Sequence, residues 1–424
     1  MIPQTIAQTI VDPRAYAAQT PVDEAFKFLR REMPFEQAQP EGFDPFWVVT
    51  RHRDILEVER QNELFHNGDR STVLTNRTSD EKVRAMMGGS PHLVRSLVQM
   101  DNPDHGYYRR LTQPYFMPQN IRKLEPRIRE IAKSFVDRMA AKGEGCDFAH
   151  DVAFLYPLHV IMEILGVPEA DEPLMLKLTQ ELFGAGDSDM KRGNAVAATE
   201  DEGLAAIMAT VADFVAYFNR MTEDRRANPR DDVATVIANG TVNGQPLGHL
   251  EAMSYYIIVA SAGHDTTSNT TAGALWALAE NPGEFAKLKR DIPGLLPLFI
   301  EESIRWVTPV KHFMRTATAD AEVSGRRIAK GDWLFLSYPS GNRDEDVFDD
   351  PFAFKVDRTP NRQIAFGYGA HVCLGQHLGK LEMRILWEEL LPRLESLELA
   401  GEPRRTEAAF VCGPKSVPIR YRMR

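Results

Sequence analysis

The chain has 424 residues, of which 43% are hydrophobic and 26% charged, with a net charge of −10. That is the composition of an ordinary folded polypeptide, and the acidic surplus argues against a nucleic-acid partner. Three cysteines, a sparse and odd number, argue against a disulfide framework and for a reducing compartment.

The elements follow in chain order. The first residues, "MIPQTIAQTIVDPRAYAAQT", lack the basic start and apolar core of a secretion signal, so a cytoplasmic protein is expected. "FWVVTR" reads as a strand. "DRSTVLTNRTSDEKVRAMMGGSPH" is polar and aperiodic, and is expected to be a long loop of the kind that is often functional or mobile. "QNIRKLEPRIREIAKSFVDRMAAK" spaces Ile121, Leu124, Ile128, Ile131, Phe135 and Met139 three or four apart, the apolar stripe of a helix. "DEGLAAIMATVADFVAYFNRMTEDRR" and "GKLEMRILWEELLPRL" read the same way, and "VNGQ" reads as a tight turn. "AEVSGRRIAKGDWLFLS" and "SVPIRYRM" are strand-like. No run approaches the roughly 18 apolar residues of a membrane span. No linker or repeat interrupts the pattern. The expectation is a mainly α protein, a helical core with small β-sheets near its ends, forming a single domain over residues 1–424.

Four groups of residues carry possible chemistry. In "AFGYGAHVCLGQ", Cys373 precedes a helical pattern, where the helix dipole and free N–H groups favour thiolate. Taken alone, the loop is also compatible with a buried structural cysteine after a glycine turn. No CxxC or His/Cys cluster has zinc spacing, so a metal here would have one thiolate from the protein. "ASAGHDTTSNTT" crowds threonine and glycine into a helix, where both are poor formers. Thr266 can return its hydroxyl to the carbonyl of Ala262 and bend the helix; a polar helix face is the plainer reading. "EESIR" places Glu302 and Arg305 at i,i+3, a common surface pairing. His105, Arg109, Arg315 and His371 are scattered cations, each compatible with an ordinary surface position.

The string "FGYGAHVCLG" changes the weighting. It resembles the F-x-x-G-x-x-x-C-x-G haem loop of the cytochrome P450 family, with Phe366, Gly369, Cys373 and Gly375 in register. The resemblance spans nearly the whole chain and implies the P450 fold and haem b (iron protoporphyrin IX). It implies Cys373 as the iron ligand, with Phe366, Gly367, Gly375 and Ala262 against the cofactor. "AGHDT" is similar to the family's oxygen-activation motif, which carries over Ala262, Gly263, Asp265 and Thr266. Thr266 then holds water on the oxygen side and Asp265 relays protons; His264 is structural. Glu302, Arg305 and Arg358 correspond to a buried network, and Arg109, Arg315, His371 and His105 to donors for the haem propionates.

The resemblance also implies a substrate pocket lined by Ile258, Ala262, Val310, Phe313 and Phe410, with Met86, Met87 or Phe183 as further candidates. Electrons are expected from a separate [2Fe–2S] ferredoxin and its NAD(P)H-dependent reductase, docking near Arg110, Arg362 and Lys380. Lys380 and Gly379 depart from the commoner motif, and Pro339 interrupts a strand-like stretch. A monomer without a membrane anchor or nucleic-acid partner is expected. "EGFDPFWVVTRHRDI" and "CDFAHDVAFLYPLHVIMEILGVPEADEPLMLKLTQELFG" look like the bacterial terpineol-hydroxylating group of the family. The implied reaction is insertion of one oxygen atom from O2 into a small hydrophobic substrate. A cyclic monoterpenoid is the first substrate class and an aromatic hydrocarbon the second. A peroxide-driven peroxygenase and a non-catalytic haem sensor are the alternatives.

Overall fold

The computed structural model describes residues 1–192 and 200–424. Long helices dominate the centre. The helix Pro118–Ala141 buries Ile121, Ile128, Ile131, Phe135 and Met139, with Leu124 at the edge of that face. It packs against the helix Gln376–Leu390, which buries Leu378, Leu381, Ile385, Leu386 and Trp387. Trp387 stacks on Phe148 at 6.4 Å and meets Phe299 edge-on at 5.2 Å. Each such fully buried apolar side chain contributes about 1.5–3 kcal/mol.

The sheets are small and peripheral. Five strands pair in the order Phe35–Ala38, Phe46–Val49, Trp333–Ser337, His312–Ala317 and Phe65–His66. Within this sheet, 46–49 and 333–337 run parallel, and the other pairs are antiparallel. A three-stranded sheet joins Leu394–Leu399, Pro418–Met423 and Gly145–Asp147. The "VNGQ" turn closes a hairpin, with Asn243 and Gly244 both at positive φ (53° and 76°), as a type I′ turn requires.

Three expectations change. The polar stretch after residue 69 contains the helix Arg77–Met86, capped by Asn76, whose side chain accepts the Ser79 N–H at 2.7 Å. Only Val83 is buried in it, so it has no apolar stripe to read. The helical pattern through "ASAGHDTT" is two helices, His249–Ala262 and Asp265–Glu280, separated at Gly263 and His264. Pro339 does not interrupt a strand: the strand ends at Ser337 and Pro339 opens the short helix Tyr338–Gly341, where its missing N–H costs nothing.

Glu202–Ala227 is the one described helix long and apolar enough to cross a membrane. Its Phe214, Phe218 and Met221 join the hydrophobic core, and Phe218 stacks on Tyr256 at 4.8 Å.

Candidate functional site

The cysteine loop is built by backbone geometry. Gly367 and Gly369 lie at φ 68° and 71°. A Cβ on Gly369 would stand 2.4 Å from the Glu59 carbonyl oxygen, so no larger residue fits there. The Cys373 N–H donates to the Phe366 carbonyl at 2.9 Å, closing the loop just before the helix that starts at Gln376. Burial pushes the Cys373 thiol up, while N–H groups of Gly375 and Gln376 and the Arg109 guanidinium pull it down. Yet Cys373 is the one exposed cysteine of the three. A side chain both enclosed and accessible lines an interior hollow. A Cβ on Gly375 would meet nothing within 4 Å.

A cationic cluster borders this loop. Arg109 donates to the Val372 carbonyl at 2.8 Å. The rings of His105 and His371 lie 4.0 Å apart. Burial, reinforced by Arg109, brings His105 down to about 4. Burial, with Arg315, His105 and Arg109, brings His371 down to about 2. Both imidazoles are therefore neutral donors at neutral pH. His105 is 3% exposed, and its Nε2 has no partner among the described residues. Arg315, also 3% exposed, reaches Glu59 at 3.3 Å.

Glu59 was not legible in the sequence. It lies on the helix His52–Arg60, and Tyr338 donates to its carboxylate at 2.6 Å. Burial raises its pKa against the pull of Arg315 and Tyr338. A glutamate on an amphipathic helix reads as solvent-facing, and only the packing turns this one inward.

The Glu302 network is complete within the chain. Arg305 makes a two-pronged contact with Glu302 at 2.7 and 2.8 Å, and Arg358 joins at 2.9 Å. The remaining guanidinium donors go to carbonyls of Asn342, Pro351, Asp349, Asp350 and Ala353. Asn342 also accepts the Ile364 N–H at 2.8 Å, which anchors the start of the cysteine loop.

On the other side, Thr266 donates to the Ala262 carbonyl at 3.0 Å, as its spacing predicts. A Cβ on Gly263 would lie 2.6 Å from Ile161, which explains the small residue at the helix break. Between Ala252 and Thr271 only Ile258, Ala262, Gly263 and Thr266 escape full burial. Three of these are four residues apart, so one accessible line runs along an otherwise buried pair of helices. Asp265 is 9% exposed and its Oδ2 has no partner among the described residues. His264 is fully buried and its Nε2 meets the Phe154 carbonyl at 2.9 Å. A carbonyl only accepts, so Nε2 carries the proton, and His264 ties the helix break to the backbone at Phe154.

The apolar candidates converge only in part. Phe410 meets Phe313 at 5.4 Å and Phe183 at 6.3 Å, and Val310 bridges Val411. Met86 is instead 46% exposed, and Met87 lines a separate cavity with His66, His92 and Asp101. Met86 is the last residue of the helix Arg77–Met86 and Met87 its C-cap. Of the docking candidates, Arg110 and Arg362 are exposed, whereas Lys380 is held by Glu301 at 2.6 Å.

A family model described as Cytochrome P450 matches residues 69–419. The chain belongs to the cytochrome P450 family. It is 48% identical to Cytochrome P450-terp of a Pseudomonas species, covering 99% of this chain and 98% of that one. It is 32% identical to linalool 8-monooxygenase of Pseudomonas putida, covering 96% and 97%. Among solved structures it is similar to CYP108D1 from Novosphingobium aromaticivorans, with a TM-score of 0.91, 47% identity and full coverage of both chains. As a P450 the chain is a monooxygenase whose cofactor is haem b. The residues present fit that group. An enclosed thiol, open space before Gly375, and buried donors at His105, Arg109, Arg315 and His371 suit a flat iron porphyrin with two carboxylates.

Proposed function

We propose that this P450 hydroxylates a cyclic monoterpenoid, with an aromatic hydrocarbon as the second substrate class. The observation that carries the reading is 48% identity, over almost the full length, to Cytochrome P450-terp. The similarity to linalool 8-monooxygenase, named for an open-chain monoterpenoid, supports the monoterpenoid class but not the ring. The aromatic wall of Phe183, Phe313 and Phe410 and the apolar line through Ile258 and Ala262 suit a small hydrophobic molecule.

Residues 1–424 act as one haem domain. Cys373 would hold the haem iron as thiolate, the form favoured by the N–H groups of Gly375 and Gln376. His105, Arg109, Arg315 and His371 would hold the propionates, and Phe366, Gly367, Gly375 and Ala262 would border the porphyrin. When bound, thiolate-ligated haem activates dioxygen so that one atom enters a C–H bond and the other leaves as water, consuming two electrons and two protons. Asp265 carries protons inward through its unpaired Oδ2. The Thr266 hydroxyl, anchored on Ala262, holds the water that passes them on. The apolar residues exclude bulk water and orient the substrate. A separate [2Fe–2S] ferredoxin and its NAD(P)H-dependent reductase supply the electrons, docking through Arg110 and Arg362. The enzyme works as a cytoplasmic monomer.

The test is a screen of cyclic monoterpenoids and aromatic hydrocarbons for a low-to-high-spin shift, followed by product analysis with ferredoxin or peroxide. Terpenoid shifts with ferredoxin-driven hydroxylation support the reading. Equal turnover on peroxide alone assigns a peroxygenase, and binding without product assigns a sensor. Cys373→Ser is expected to abolish the thiolate-type ferrous–carbonyl band, and Cys146→Ser and Cys412→Ser to leave it.

A further inference from the structure

A second cavity of about 330 Å³ lies away from the cysteine loop, between the first helices, the end of the 265–280 helix and the 405–414 segment. Its wall carries three cations, Lys311, Arg343 and Arg405, and two indoles, Trp276 and Trp306. The Arg405 guanidinium sits 3.9 Å over the Trp276 ring, and Arg343 lies 5.2 Å over Trp306. Arg343 is 3% exposed, and its Nε has no hydrogen-bond partner among the described residues; the same holds for Nε1 of Trp276, 9% exposed.

The acids do not balance these cations. Asp23 comes no nearer to Arg343 Nε than 3.8 Å, beyond hydrogen-bond reach, and Glu280 is exposed at the rim. Lys311 donates only to the carbonyls of Val307 and Thr308, at 3.0 and 2.8 Å. Burial brings its ammonium down to about 8, and Arg343 and Arg405 add to that pull. Three cations facing one carboxylate in ion-pair range and another at the rim leave the wall with an excess of positive charge, partly desolvated, which is costly without an anion. Flat aromatic faces beside it favour a ring stacked on indole.

We propose that this cavity is a second ligand site, for a small aromatic carboxylate, separate from the haem and substrate site. The carboxylate accepts from the Arg405 guanidinium, with Lys311 and Arg343 adding positive charge behind it, and the ring packs beside the two indoles. The volume is at the small end of ligand pockets and suits a single-ring acid.

Benzoate is the probe. The haem-loaded enzyme is titrated calorimetrically while the Soret band is followed in parallel. The expected result is saturable binding with an unmoved Soret band. Benzyl alcohol, the neutral analogue, and sulfate, an anion without a ring, should each bind about tenfold more weakly. Arg405→Gln, at a half-buried position, should weaken benzoate by about tenfold, and Lys311→Met by a smaller factor. Arg343 is too buried to be the primary variant. Where Arg405→Gln fails to fold, Lys311→Met and the two analogues decide. The proposal is overturned by no saturable binding at tens of millimolar, or by a Soret change that tracks the heat. Equal binding of either analogue, or unchanged benzoate affinity in the folded variants, also overturns it.

Discussion

Two buried cationic regions flank the cysteine loop, and they differ in what answers their charge. Around Glu302, every cation finds its partner inside the chain: two guanidinium groups share one carboxylate, and their spare donors go to backbone carbonyls. Around His371, the donors outnumber the acceptors. Arg109, Arg315, His105 and His371 face one another, with Glu59 as the nearest acid. The first region is scaffold, closed on itself. The second is addressed to a ligand that brings its own negative charge. Satisfied and unsatisfied burial of the same chemical groups separates structure from recognition.

The largest effect should come from breaking the closed region. Glu302→Gln leaves two buried guanidinium groups without an anion, at a cost of about 3–5 kcal/mol. Denaturant unfolding should show that loss, and the ferrous–carbonyl band should fall with it. In the open region, Arg109→Ala, which removes a cation with no acidic partner among the described residues, should leave the fold nearly intact but weaken haem retention. A charged hydrogen bond contributes about 1.5–3 kcal/mol, so transfer of haem to an acceptor apoprotein should quicken by roughly 10- to 100-fold. Equal stability losses in the two variants would erase the distinction.

On the oxygen side, Thr266→Ala should keep haem and substrate binding but divert electrons to peroxide or water, with product formation falling by up to about 100-fold. Matched assays of product and reductant consumption measure it; unchanged coupling would remove Thr266 from the proton path. The smallest effect concerns an outer pair. His159 meets Glu172 at 2.8 Å, which raises its pKa against a smaller opposing effect of burial. A raised histidine stabilises fully below its ordinary value near 6.5 and loses that contribution as pH climbs through the folded value. His159→Gln should therefore cost under about 1 kcal/mol near pH 5–6, and nothing well above the folded value.

The contrast between regions also explains what could be read in advance. Glu302 and Arg305 sit one helical turn apart, so their pairing is a local property, visible in four letters of sequence. Arg358 joins from 53 residues beyond Arg305, and only the family resemblance pointed to it. Glu59 illustrates the opposite case. Its helix is amphipathic and its charge looks external, yet the folding of the cysteine loop over it makes it a buried partner of Arg315. The helix Arg77–Met86 escaped for a related reason, since one buried valine makes no stripe. Met86 at its end is exposed, and Met87 lines the cavity with His66 and Asp101.

By itself the sequence determined the helical class, the hairpin at Asn243–Gly244, the Thr266-to-Ala262 hydrogen bond and the glycine-shaped loop around Cys373. These depend on spacing, propensity and backbone freedom within a few residues, which the chain carries locally. Tertiary structure alone decided that Cys373 is enclosed yet accessible, that Ile258, Ala262 and Thr266 form one line toward the interior, and which buried cations have partners. Those properties depend on what arrives from distant parts of the chain. Burial changes the cost of a charge far more than its identity does.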